Sequence, residues 1–212
     1  MKFPDEAVLK DRKGTLLKVS EELFAKHGFN GTSTRMIAEQ SGVNIAMINY
    51  YFGSKEALYT AIFENRLLYI INEYDRISKL DLGPGEKLEI YLRSYIQRIQ
   101  SNQGFYRMES RQLTMLEQPP IVKLLETSRS KAFLLLHEVI TNGVLIGVFQ
   151  PVDIEVISLN IIYMLPTVFT RPVTLFNQLG FSMNQYSHGT SLENRVVAFL
   201  MSPLIIKKIP QI

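Results

Sequence analysis

The chain has 212 residues, 46% of them apolar and 20% charged, with a net charge of +3 and an isoelectric point near 9.0. That composition can bury a core and excludes a disordered chain, while the absence of cysteine excludes disulfides, thiolate metal sites and a cysteine nucleophile. No apolar run approaches the roughly 18 residues of a membrane span, Met1–Lys10 lacks the apolar core of a signal peptide, and a cytoplasmic protein is expected.

Apolar periodicity predicts helices from end to end. Val8, Leu9, Leu16, Val19, Leu23 and Phe24 recur at helical spacing over Phe3–His27, and Gly28 can take the left-handed conformation that ends a helix. Phe29-Asn30-Gly31 is expected as a loop. Thr32 and Ser33 are candidate caps for a second helix carrying Ile37 and Ala38, since their hydroxyls can accept from its free N–H groups. Gly42 breaks that helix, and Asn44 can cap a third over Ile45–Phe52. After Gly53, Ser54 can cap a long fourth helix carrying Leu58, Ile62, Leu67, Ile70 and Ile71.

Leu82-Gly83-Pro84-Gly85 is the clearest break, and Pro84 suits the first turn of a fifth helix that runs to Ser101. Gly104 reads as punctuation before a sixth segment, Phe105–Leu116. Pro119 and Pro120 precede a seventh helix over Ile121–Thr141, followed by a loop or short turn at Asn142–Gly147. Asp153 caps an eighth, apolar over a wide arc (Ile154, Ile157, Ile161 and Leu165, but also Val156, Leu159 and Ile162), with a kink expected at Pro166. Gly180–Gly189 reads as a loop. Thr190 and Glu193 form a capping-box pattern before a ninth helix carrying Leu192, Val196, Phe199 and Leu200. The fold class is therefore all-α, with about nine helices.

The functional signal lies in Thr32–Leu58, TSTRMIAEQSGVNIAMINYYFGSKEAL. A helix-turn-helix needs a small residue where its helices touch, a glycine at the turn and apolar pegs beneath. Ala38 and Gly42 meet the first two needs, and Ile37, Val43, Ile48 and Phe52 can point inward. The opposite face carries Asn44, Ile45, Met47, Asn49, Tyr50 and Tyr51. Asn49 can hydrogen-bond an adenine edge, and Ile45 and Met47 can touch a thymine methyl. The hydroxyls of Tyr50 and Tyr51 can reach phosphates, as can Lys55 at a helix start, Thr32 and Ser33 one helix earlier, and Arg35 on the second helix. Bulk charge does not carry this reading: residues 1–60 hold eight Lys/Arg and seven Asp/Glu, a net of +1.

No catalytic constellation is visible. His27, His137 and His188 are scattered, and there is no His-x-x-x-His pair, GxSxG elbow or phosphate loop. No enzyme, cofactor or metal site is expected. The alternative reading is an all-α small-molecule-binding or catalytic protein whose N-terminal helices are only structural.

At AKHGFNGTS and the TRMIAEQSGVNIAMINYYFGSKEAL that follows, the chain resembles the TetR family of bacterial regulators. The matching positions are Thr32-Ser33, Ile37-Ala38, Gly42-Val43, Tyr51-Phe52, Lys55 and Leu58. The family usually has Tyr where Asn49 stands and often Gly-Thr where Ala46-Met47 stand, departures that bear on the DNA sequence read. The resemblance implies a DNA-binding domain over 1–53 and a helical effector-binding and dimerisation domain over 54–212. It implies a homodimer paired through Asp153–Gln178 and Ser191–Met201, bound to a palindromic double-stranded operator and released by a small molecule. The effector would lie among the fourth to seventh helices, where Phe63, Tyr91, Tyr95, Phe105, Tyr106, Phe133 and His137 favour an apolar or aromatic compound. Taken alone, each of these residues reads as core rather than as pocket.

Overall fold

Every element among the described residues is a helix, apart from an isolated antiparallel bridge between Phe149 and Ile205. The structure is a computed structural model, and it describes residues 6–115, 118–170, 174, 177–178 and 191–205. The helices are α1 (Glu6–Gly31), α2 (Thr34–Ser41), α3 (Ile45–Phe52), α4 (Lys55–Ser78), α5 (Pro84–Ser101), α6 (Gln103–Met115) and α7 (Pro119–Leu145). Then come α8 (Ile154–Leu159), a π-helical turn (Asn160–Met164), α9 (Leu165–Thr170) and α10 (Leu192–Met201). The expected all-α architecture is the one observed.

The predicted end of the first helix at Gly28 is a break inside a longer one. Gly28 has φ 75° and ψ 173°, and Phe29–Gly31, expected as a loop, adds a short helical turn after it. Two other glycines were read as punctuation and are contact sites instead. Gly104 lies inside α6, where a Cβ would stand 3.0 Å from Cβ of Ala25. Gly143 lies inside α7, which runs into the expected loop as far as Leu145 before the turn at Ile146–Gly147, and a Cβ there would collide with the Phe149 ring. In both cases the missing side chain lets another segment approach the helix, a role invisible to turn propensity.

Contacts divide the chain into two compact units. One comprises Met1–Tyr69 and Gly104–Glu126, the other Ile70–Gln103 and Thr127–Ile212. The first unit holds α1 to α3, the start of α4, and α6. Its centre is a ladder of aromatic rings: Phe24 on Tyr59 (4.8 Å), Tyr59 on Phe63 (5.3 Å) and Phe63 on Phe105 (5.3 Å). All four are essentially buried, and each such side chain contributes about 1.5–3 kcal/mol by leaving water. Glu21 and Arg66 close its flank with two 2.8 Å hydrogen bonds between α1 and α4.

The second unit buries Leu88, Leu92, Ile96 and Ile99 of α5, Leu136 and Ile140 of α7, and Leu165 and Phe169 of α9. Arg93 of α5 bridges Glu89 on its own helix to Glu193 and Asn194 of α10. The guanidinium pKa is raised, chiefly by the Glu89 hydrogen bond. Thr190, the Gly180–Gly189 loop and the KKIPQI tail lie outside the described residues. Within them, Ser191 caps α10 through its hydroxyl, which accepts from the Asn194 N–H at 3.2 Å.

Candidate nucleic-acid interface

The two short helices of Thr34–Phe52 are set by local chemistry. Ser33 accepts a hydrogen bond from the Met36 N–H at 3.1 Å and so caps α2. Thr32, the other candidate cap, is turned inward: it is buried and its hydroxyl donates to the carbonyls of Gly28 (2.8 Å) and Leu23 (3.2 Å). It thereby closes the turn that Gly28 opens. Gly42 has φ 67° and ψ 22°, and its N–H donates to the Ala38 carbonyl, ending α2. Asn44 then caps α3, accepting from the Ala46 N–H at 3.0 Å. Ser54 accepts from the Ala57 N–H at 3.1 Å at the start of α4. These caps satisfy N–H groups that a short helix otherwise leaves to water.

Beneath the turn, Ile37 and Ile48 are fully buried and Ala38 nearly so. Phe52 and Val43, also expected inside, are half-buried. With Ile48 anchored, the far side of α3 is held outward. Asn44, Ile45, Ala46, Asn49 and Tyr50 are exposed, Met47 is half-buried, and Tyr50 shows 74% of its surface. The predicted reading residues thus share one accessible face with amide, apolar and phenolic groups on it.

The Tyr51 ring is half-buried between Tyr50 (5.3 Å) and Phe52 (6.2 Å). Its hydroxyl is closed off and has no hydrogen-bond partner in the protein. Arg35 is exposed and pairs with Glu39 one helical turn on, at 3.0 Å. An exposed pair of this kind is worth about 0–1 kcal/mol, so an incoming phosphate can take the guanidinium over.

Lys55 has a role that its position in the sequence did not disclose. Its ammonium donates to the carbonyls of Phe29 and Thr32, both at 3.1 Å, and sits 4.2 Å from the centre of the Phe29 ring. It fastens the α1–α2 turn to the start of α4, with one of its three hydrogens left over. Phe29 also packs on Tyr59 at 5.0 Å, so the anchor joins the aromatic ladder. Next to it, the Glu56 carboxyl is held below its ordinary value of 4.5, first by its own backbone N–H and then by Ser54.

The residues expected to line an effector site fall into separate parts of the fold. Phe63, Phe105 and Tyr106 are buried in the first unit, as rungs of its ladder. Tyr91 and Tyr95 are buried in the second, their rings 5.9 Å apart. Phe133 is half-buried and His137 exposed. The α7 face that turns inward carries Ala132, Leu135, Leu136, Val139 and Ile140, and two residues on from Leu135 the helix has rotated to solvent. No group of three His, Cys, Asp or Glu residues able to hold a metal occurs among the described residues, and no described helix is long and apolar enough to cross a membrane.

The chain is similar to known proteins. Residues 16–62 match the family described as "Bacterial regulatory proteins, tetR family". Over 148 residues, 68% of this chain and 70% of the relative, it is 26% identical to the HTH-type transcriptional repressor KstR2 of Mycolicibacterium smegmatis. Over 56 residues, 26% of each chain, it is 41% identical to the HTH-type transcriptional regulator RutR of Escherichia coli. The solved structure of the ketosteroid transcriptional regulator KstR2 of Mycobacterium tuberculosis has the same fold. The TM-score is 0.73 at 19% identity, over 92% of this chain and 96% of that one. Capped helices around Gly42, an accessible α3 face and these likenesses lead to one conclusion: residues 16–62 carry the pattern of the tetR family of bacterial regulatory proteins, and the chain is a DNA-binding transcriptional regulator.

Proposed function

We propose that the protein is a homodimeric repressor that leaves its operator when a small apolar or aromatic molecule binds. The observation that carries the DNA-binding half is the α3 face, exposed at Ile45, Ala46, Asn49 and Tyr50 because Ile48 is buried behind it. In this reading residues 1–53 form the reading head and α3 enters a major groove. Asn49, Ile45, Ala46 and Met47 meet base edges. Tyr50, Arg35, Ser33 and the free hydrogen of Lys55 meet phosphates, and the unpartnered Tyr51 hydroxyl turns to the same backbone. Thr32 acts from inside by shaping the turn.

Two copies pair through Asp153–Gln178 and Ser191–Met201. What supports this is exposed apolar surface on both segments: Val156, Leu159 and Tyr163 are each about half exposed, and Phe199 more so. A shallow groove of about 280 Å³ runs along the first of them. A second copy would cover both. The effector reading rests on the aromatic richness of α4 to α7, and the ring system in the name of the ketosteroid regulator fits that chemistry.

A gel shift on DNA upstream of the protein's own gene tests the proposal. Binding that weakens steeply with salt, and falls at least tenfold in Asn49→Ala and Tyr50→Ala with the fold intact, is expected. Binding untouched by both substitutions would contradict the placing of α3. A thermal-shift screen of apolar and aromatic compounds, followed by release of the DNA, tests the effector half.

A further inference from the structure

The helix from Ile154 to Thr170, where a kink is expected at Pro166, widens just before that proline. Asn160–Met164 form a π-helical turn, and α9 then resumes at Leu165. A proline has no N–H to give the carbonyl four residues back, and its ring crowds that carbonyl. Here the carbonyl is that of Ile162, whose side chain is buried. A buried carbonyl without a partner destabilises the fold.

A side chain from another helix answers it. The Tyr95 hydroxyl of α5 donates to the Ile162 carbonyl at 3.1 Å, in a buried setting. Tyr95 is itself held in place, with its ring 5.9 Å from that of Tyr91 and 5.2 Å from the Arg98 guanidinium. The π turn carries one more residue than an α turn. It therefore sets the angular offset between the faces of α8 and α9. Leu159, Asn160, Tyr163 and Met164, which line the shallow groove, flank or lie within it.

We propose that the Tyr95 hydroxyl stands in for the amide hydrogen that Pro166 lacks, and so holds the π turn that aligns the outer face for pairing with a second copy. Tyr95 is thus a positioning residue for the dimer, acting from the opposite side of the helix from the partner. The inference rests on the reading of that face as the dimer seam. It adds a cause for the alignment of the face and gives Tyr95 a task other than lining an effector site.

The test is a double-substitution cycle on the full chain, read by sedimentation equilibrium and by thermal melting at fixed protomer concentration. Tyr95→Phe keeps the ring and removes the donor. It is expected to weaken the dimer about tenfold and to lower the melting temperature by roughly 3–6 °C, the scale for one buried polar group lost in a chain of this size. Pro166→Ala returns a backbone N–H to the helix. In that background Tyr95→Phe is expected to change the dimer constant less than twofold and the melting temperature by less than about 1 °C. A merely space-filling tyrosine would show no such dependence on residue 166. Equal effects of Tyr95→Phe in both backgrounds, or an unchanged dimer constant in the native background, would overturn the proposal. Leu159→Ser on the outer face separates the two readings. A dissociated dimer supports the seam. An intact dimer overturns the seam and the alignment role with it, while the melting cycle still reports whether Tyr95 and Pro166 are coupled.

Discussion

The reading head and the helix around Pro166 solve the same problem, unsatisfied backbone groups, over very different distances. In the head, the partners of the freed N–H groups are two or three residues away. Ser33 caps through Met36, Asn44 through Ala46 and Ser54 through Ala57. Around Pro166 the freed carbonyl of Ile162 is met by a hydroxyl 67 residues earlier in the chain. Local satisfaction can be built from a short motif and carried intact between proteins. Remote satisfaction depends on how two whole helices pack, and it ties the shape of one to the other.

The same contrast explains what could be read before the fold was known. The described helices were legible apart from the turn after Gly28, the last residues of α7 and the π turn, as were Gly42, the caps at Ser33, Asn44, Ser54 and Asp153, and the burial of Ile37 and Ile48, because periodicity and capping are short-range rules. The inward turn of Thr32 was not, since Thr and Ser can both cap a helix and only packing shows which of two neighbours turns inward. Nor was the anchoring of Lys55 to the carbonyls of Phe29 and Thr32, formed across 26 and 23 residues. Gly104 and Gly143 were misread for the same reason. What decides their roles is Ala25 and Phe149, and nothing in the neighbouring sequence marks those contacts. The proposed effector residues were the least legible, because aromatic content alone does not tell a ladder rung such as Phe63 from a pocket wall.

The largest effect expected from breaking the local side is Ile48→Asp. It places a charge where Ile48 is fully buried, and should remove sequence-specific DNA binding, more than a hundredfold in a gel shift. Retained binding would mean that α3 need not be seated as described.

Glycine substitutions break the remote side, with opposite signs. Gly143→Ala puts a methyl into the Phe149 ring and should destabilise by about 1–3 kcal/mol. Gly14→Ala, also inside a helix but with nothing within 4 Å of the added carbon, should stabilise by about 0.5–1 kcal/mol. Urea unfolding of the two variants measures both; matching signs would show that helix propensity, not contact, governs Gly143.

A smaller loss, about 1 kcal/mol, is expected for Ser33→Ala from the missing cap of α2. Thr32→Ser, which keeps the inward donor, should cost less than Thr32→Val, which removes it. Chemical denaturation ranks the three, and an equal cost for Thr32→Ser and Thr32→Val would deny the hydroxyl its inward role.

The smallest effect belongs to Glu56. Its folded pKa is depressed, so its contribution is present above the ordinary value of 4.5 and disappears as pH falls through the lower folded value. Because the side chain is exposed, Glu56→Gln should shift stability barely measurably at neutral pH and not at all once the native carboxyl is protonated. A pH series of melting curves for the two proteins reads the difference.

The central claim is that the exposed face of α3 reads a DNA sequence on behalf of a paired molecule. Selection of bound fragments from sheared genomic DNA, followed by sequencing, tests it most directly. The account predicts enrichment of a few sites, each a near-palindrome with half-sites one helical turn or a multiple of it apart, and loss of that enrichment in Asn49→Ala at equal protein concentration. A folded protein that enriches no fragment above background at any salt concentration would contradict it.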